Sequence, residues 1–132
     1  TFKIAMFTNS SSISADTTGY TTSNEVSGTA YTAGGNTLAS ITLALADNSS
    51  AVPTAFLDFA DSTWSTSTIS SARGALIYNS TLSSAGTGST TNHAADPAVA
   101  VINFGGDKSS SAGDFTIQFP ANDANNAIIR IA

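Results

Sequence analysis

The segment "FGGDKSSSAGDFTIQFP", from Phe104 to Pro120, sets a glycine pair, a lysine and a run of serines side by side, the residue types with which a loop can hold a phosphate. A phosphate-binding loop needs an upstream glycine before a Gly-Lys-Ser/Thr triplet, and it must lead from a strand into a helix whose first amides face the anion. Here Asp107 precedes Lys108, and beyond the serines Phe115, Ile117 and Phe119 alternate with Thr116 and Gln118 as in a half-buried strand. No helix is available to complete the loop. Asp107 and Lys108 are therefore expected in a polar hairpin loop over 105–113, a contact arm in which Gly105, Gly106 and Gly113 supply positive φ.

The other reactive residue types are isolated. His93 is the only histidine, lies in "TTNHAADP" and lacks a spaced companion that would make a metal site. The many serines stand outside any Gly-x-Ser-x-Gly context, so a Ser-His-Asp triad has no evident members. Asp58 and Asp61 are three apart, which on a strand points them to opposite faces and away from paired carboxylate chemistry. There is no cysteine, hence no disulfide, thiolate site or thiol nucleophile. No enzyme, cofactor or metal is expected. Lys3, Asn103 and Asp58, each flanked by apolar residues, are of the types that crosslink in some bacterial surface adhesins.

Residues suited to contacts stand out more than residues suited to catalysis. Arg73 shares a strand face with Ile69, Ala75 and Ile77, so its guanidinium must reach outward or meet an acid such as Asp58, Asp61 or Asp114. Tyr20, Tyr31 and Trp64 are amphipathic rings of the kind that anchor interfaces or stack on sugars. With Asp107 and Lys108 these four make up the candidate interface residues.

Period-two alternation dominates the elements that must position them. "TFKIAMFT" is apolar on both faces, as in a central strand. Residues 9–36 are dense in Ser, Thr, Gly and Asn and read as a long surface excursion with one or two short strands. From Leu38 the alternation sharpens, with Ala39, Ile41, Leu43 and Leu45 expected inward and Ser40 and Thr42 outward. Asp47 to Ser50 turns the chain into a strand over 54–59, with Pro53 near its start. "STISSARGALIYNS" supplies another, 81–97 reads as an exposed loop, and "AVAVINF", "DFTIQFP" and "AIIRIA" follow. Seven or eight strands at this spacing predict an all-β chain, an antiparallel β-sandwich or jelly-roll-like domain. At 132 residues it is expected to form a single domain over 1–132.

Only 10% of residues are charged, and the net charge is -5, with Lys3, Arg73, Lys108 and Arg130 scattered singly. That distribution argues against nucleic acid or an anionic membrane as partner, both of which call for clustered basic residues. No apolar run approaches a membrane span. The chain opens at Thr1, so an N-terminal piece is expected to be missing.

Five stretches, "FKIAMFTNS", "NEVSGTAYTAGG", "ARGALIYNS", "AVAVINFGGDKSSSAGDFTIQFP" and "NAIIRIA", resemble in order and spacing a group of small virion structural proteins of tailed bacteriophages. The resemblance runs from Phe2 to Ala132 and implies a component of the virus particle, located in the extracellular virion, whose partners are other virion proteins and copies of itself. A capsid decoration or cement role is the expectation it favours. A tail or fibre component is the alternative, and a β-sandwich carbohydrate-binding or adhesin module is a second one of a different class.

Overall fold

The described structure comprises residues 1–48, 52–86 and 93–131 of a computed structural model, and it is all-β. Its strands are β1 (Phe2–Thr8), β2 (Gly28–Thr29), β3 (Asn36–Thr37), β4 (Thr42–Asn48), β5 (Val52–Asp58), β6 (Ser62–Asn79), β7 (Ala98–Ile117) and β8 (Ile129–Ile131). Contacts divide the chain into two compact units, one from Thr1–Thr37 and Trp64–Phe115, the other from Leu38–Thr63 and Thr116–Ala132.

In the first unit β1 lies between β6 and β3, antiparallel to both, and β7 pairs with β6 on its other edge. A central strand must bury both faces, and the unbroken apolar run of β1 does so: Ile4, Ala5, Met6 and Phe7 are fully buried, as are Ala75, Leu76 and Ile77 opposite them. One face gathers Ala5, Phe7, Leu76 and Tyr78, with Ile13, Tyr20 and Ala98 packed on them. The excursion over 9–36 is tied to this sheet by β2, by β3 and by the backbone of residues 24–26, which bonds to Met6 and Thr8. Gly35 permits the close approach of β3, because a Cβ there would drive into the Ile4 carbonyl.

Two expectations about this unit are corrected. Residues 105–113 do not form a hairpin loop: β7 continues through them along β6 for 20 residues. Only Gly105 of the three glycines has positive φ, at 73°, and it acts as an irregularity within the strand. Hydroxyls and a carboxylate stitch the two strands around Thr66, Ser71 and Ala112, whose φ is positive. Ser110 Oγ accepts from the Ile69 amide, Ser109 Oγ from Ser71, Thr68 Oγ1 from Ala112 and Asp114 Oδ1 from Thr66. The serine run that looked like loop composition is thus a strand edge supplying side-chain acceptors.

The second correction concerns Arg73. Phe7 pairs with Gly74 but Thr8 with Ala72, so Arg73 is the extra residue of a β-bulge. The bulge breaks the alternation that put Arg73 beside Ile69 and Ala75, and its partner is Asp107 at 3.7 Å rather than Asp58, Asp61 or Asp114.

The second unit contains a three-stranded antiparallel sheet in the order β4-β5-β8. β4 and β5 pair residue for residue from Thr42↔Asp58 to Asn48↔Val52, and β8 adds through Ala55↔Ile131 and Leu57↔Ile129. The turn expected over 47–50 falls partly on residues 49–50, outside the described residues, as do 87–92 of the predicted loop over 81–97. One face of the sheet packs Phe56 with Ala124, Ala127 and Ala44. Phe59 meets Phe119 at 5.7 Å, and Asp61 fixes the approach by accepting from the Phe119 amide.

Candidate interaction surfaces

Paired residues of an antiparallel sheet share a face, so the register of β4, β5 and β8 places two aliphatic rows side by side. Leu43, Leu57 and Ile129 form one row, and Leu45, Ala55 and Ile131 form the next. These rows face outward. Leu43, Leu45 and Ile131 are 77, 71 and 72% exposed, and Ile41, just before β4, is 46% exposed. The inward assignment of Ile41, Leu43 and Leu45 is therefore reversed. The register gives Ala44 to the face where Phe56, Ala124 and Ala127 are packed, so the small residue fits the crowded side and the leucines are left on the open one. Single exposed leucines are ordinary on protein surfaces, but six aliphatic side chains in adjoining rows form a patch of the kind that marks a contact surface.

In the first unit the sequence-expected aromatics have been drawn together by the chain's only glutamate. Glu25 pairs with Phe7 in an isolated bridge, which points its carboxylate at three donors. Tyr20 Oη donates to Oε2 at 2.6 Å, Tyr31 Oη to Oε1 at 2.6 Å, and the Gly34 amide to Oε1 at 2.8 Å. Tyr31 Oη in turn accepts from the Met6 amide, while Tyr78 Oη donates to the Gly34 carbonyl. The Tyr20 and Tyr78 rings stack at 4.5 Å, close to parallel. Burial, followed by the bond to Glu25, holds the Tyr20 and Tyr31 phenols well above the ordinary phenol range. Burial likewise pushes Tyr78 up to about 12, with smaller contributions from Asp96 and Glu25.

This hub ties the 9–36 excursion to the sheet. Tyr20 and Tyr31 are half-buried with their hydroxyls engaged, and Trp64 is buried, stacked on Tyr31 at 5.8 Å and edge-on to Phe115 at 6.3 Å. Among the described residues the Trp64 indole nitrogen has no hydrogen-bond partner. Sequence reasoning did not single out Glu25. Its one available signal was a lone glutamate between tyrosines five residues before and six after it.

Arg73, Asp107 and Lys108 stand on or beside the outer strand β7. The side chains of Arg73 and Asp107 are 39 and 50% exposed, and ion pairs with that exposure add little stability. Arg73 also borders a cleft of about 710 Å³ between the 8–17 segment and the start of β7, lined by Thr8, Ser11, Thr17, Val101 and Asn103 among others. That lining offers hydroxyl and amide hydrogen bonds together with one guanidinium already facing an acid.

The remaining candidates have structural partners. Asp58 is buried, accepts from its neighbour Phe59 through Oδ1, and has no partner for Oδ2 among the described residues. Lys3 is placed with its ammonium beside Gly34, and the Asn103 amide oxygen accepts from the Gly105 amide. His93 contacts the adjacent Ala94 carbonyl through Nδ1. No group of three acidic or histidine side chains suited to a metal ion occurs among the described residues.

No protein-family model matches this chain, and neither a curated protein nor a solved structure matches it.

Proposed function

We propose that this chain is a structural protein of a bacteriophage particle, a capsid decoration protein that acts by burying its surface against neighbouring virion proteins and copies of itself. The observation that carries this reading is the outward aliphatic face formed by Leu43, Leu57, Ile129, Leu45, Ala55 and Ile131. An apolar patch of this kind is stabilised when a protein neighbour excludes water from it, and assembly into a particle supplies such neighbours in many copies. Among the described residues the long strand β7 pairs with no strand but β6, which leaves much of its other backbone edge for further pairing. The resemblance of the five sequence stretches to small phage virion proteins points the same way. A tail position is the alternative within the same class. A sugar-binding module has less support, because Trp64 is buried and Tyr20 and Tyr31 bond Glu25 instead of presenting a free aromatic platform.

The test is co-sedimentation of the purified chain with undecorated phage shells and, separately, with isolated tails. Saturable pelleting with shells supports decoration. Pelleting with tails alone moves the protein to the tail, and recovery in the supernatant in both cases rejects a structural role in the particle.

A further inference from the structure

We infer that the aliphatic face of β4, β5 and β8 is the seat of a second copy of this chain, joined face to face about a two-fold axis. The inference rests on the reading of the protein as one that works by contacts, and it names the neighbour at that surface.

The chemistry of the face selects the occupant. Its two rows carry six aliphatic side chains and no charged residue among them, and the next alternate pair in the same register is Asp47 with Pro53. A different protein held at one orientation would be expected to meet polar or charged anchors, since electrostatic complementarity sets register and specificity between unlike partners. Two identical aliphatic faces need none, because a two-fold contact is self-complementary by symmetry. The chain also carries a net charge of -5, so copies approach with less repulsion over the two aliphatic rows than over surfaces that carry acids.

The geometry is equally permissive. A three-stranded sheet presents a patch about 14 Å wide, and two such sheets pack at about 10 Å with their strand directions within about 30°. In that arrangement Leu43 and Leu45 of each copy lie over the rows of the other. Leu43, Leu45 and Ile131, each more than two-thirds exposed, with Leu57, Ala55 and Ile129 beside them, supply the apolar contact of each copy. A contact built on six aliphatic side chains from each copy lies at the low end of specific interfaces, for which about 1,000 Å² is the lower bound. The pairing is accordingly expected to be reversible and dependent on concentration, and to become permanent only where a particle holds many copies close together.

The experiment is analytical ultracentrifugation of the purified chain over a dilution series, beside Leu43→Lys and Leu45→Lys. Both positions are more than two-thirds exposed, so the variants should keep the wild-type circular dichroism and low-concentration melting temperature. The expected result is twice the 13.3 kDa chain mass at high concentration, with dissociation on dilution. Each lysine variant should remain at the single-chain mass at every concentration, because pairing would bury an ammonium group of each copy against aliphatic side chains. Wild type at the single-chain mass throughout, or lysine variants that still pair, overturns the inference. The two readings fail separately: a single-chain wild type that still pellets with shells sinks only the pairing, and a two-chain protein that ignores shells and tails sinks only the virion role.

Discussion

Replacing Glu25 by Gln keeps the shape of the tyrosine hub and removes its charge. Glu25 accepts three hydrogen bonds, from Tyr20, Tyr31 and the Gly34 amide, at 2.6–2.8 Å. A hydrogen bond to a charged group contributes about 1 kcal/mol more than a neutral one, which sets an upper bound of about 3 kcal/mol for the substitution. Glu25 is half-buried, and solvent screening brings the expectation to about 1–2 kcal/mol. For a chain of this size that corresponds to a fall in melting temperature of about 4–8 °C. Alkaline titration gives an independent readout. The Tyr20, Tyr31 and Tyr78 phenols are all raised in the folded protein, so the folded state retains protons that the unfolded state releases above its phenol pKa of about 10. Their contribution is complete below pH 10 and fades as the pH climbs toward the folded values. Buried Tyr78, pushed up to about 12, by itself removes at most about 1.4 kcal/mol per pH unit across that window. Glu25→Gln should lower the tyrosinate absorbance midpoint of Tyr20 and Tyr31, without bringing it to the free phenol value, because burial is the larger cause. Thermal melts at neutral pH and tyrosinate absorbance against pH measure both effects. A variant that melts within about 1 °C of wild type and titrates identically would refute the hub as a stabilising network.

Gly35→Ala should destabilise severely, by about 3 kcal/mol or more, because its Cβ meets the Ile4 backbone carbonyl at positive φ. Gly105→Ala, with nothing within 4 Å of the new Cβ, should cost only about 1–2 kcal/mol for the left-handed backbone. Equal losses in chemical denaturation would contradict the placement of both residues. Asp58→Asn, which keeps the bond to the Phe59 amide and removes a buried charge, should stay within about 1 kcal/mol of wild type or exceed it, whereas Asp58→Ala should lose about 1–3 kcal/mol. An Asn variant as damaged as Ala would mean that Oδ2 has a partner. Arg73→Ala should shift the melting temperature by under about 2 °C, since its pairing with Asp107 is exposed, and a larger drop would show that the bulge needs the arginine stem.

Alternation with period two and the scarcity of helical spacing were enough to determine that this chain is all-β, because side-chain direction along a strand is a local property that each residue imposes on the next. The same locality made β1 readable as a central strand and placed β5 and β8 within a residue or two. It could not say which face of β4 looks toward the core. Leu43 and Ala44 alternate equally well in either orientation, and the choice was made by Phe56, Ala124 and Ala127, which lie up to 83 positions further along the chain. Nor could it separate a serine-rich loop from a serine-rich strand: residues 105–113 became strand because Thr66, Ile69 and Ser71 on β6 offered amides that Asp114, Ser110 and Ser109 could accept from. Arg73 left its expected face through a single inserted residue in the ladder, and one extra residue resets the alternation without any mark in composition. Glu25, Tyr20, Tyr31 and Tyr78 reveal their relationship only in space, since a hydrogen-bond hub depends on the approach of segments distant in sequence. What residues dictate to their immediate neighbours was determined by the sequence alone; register, bulges and the choice of outward face were decided by long-range packing.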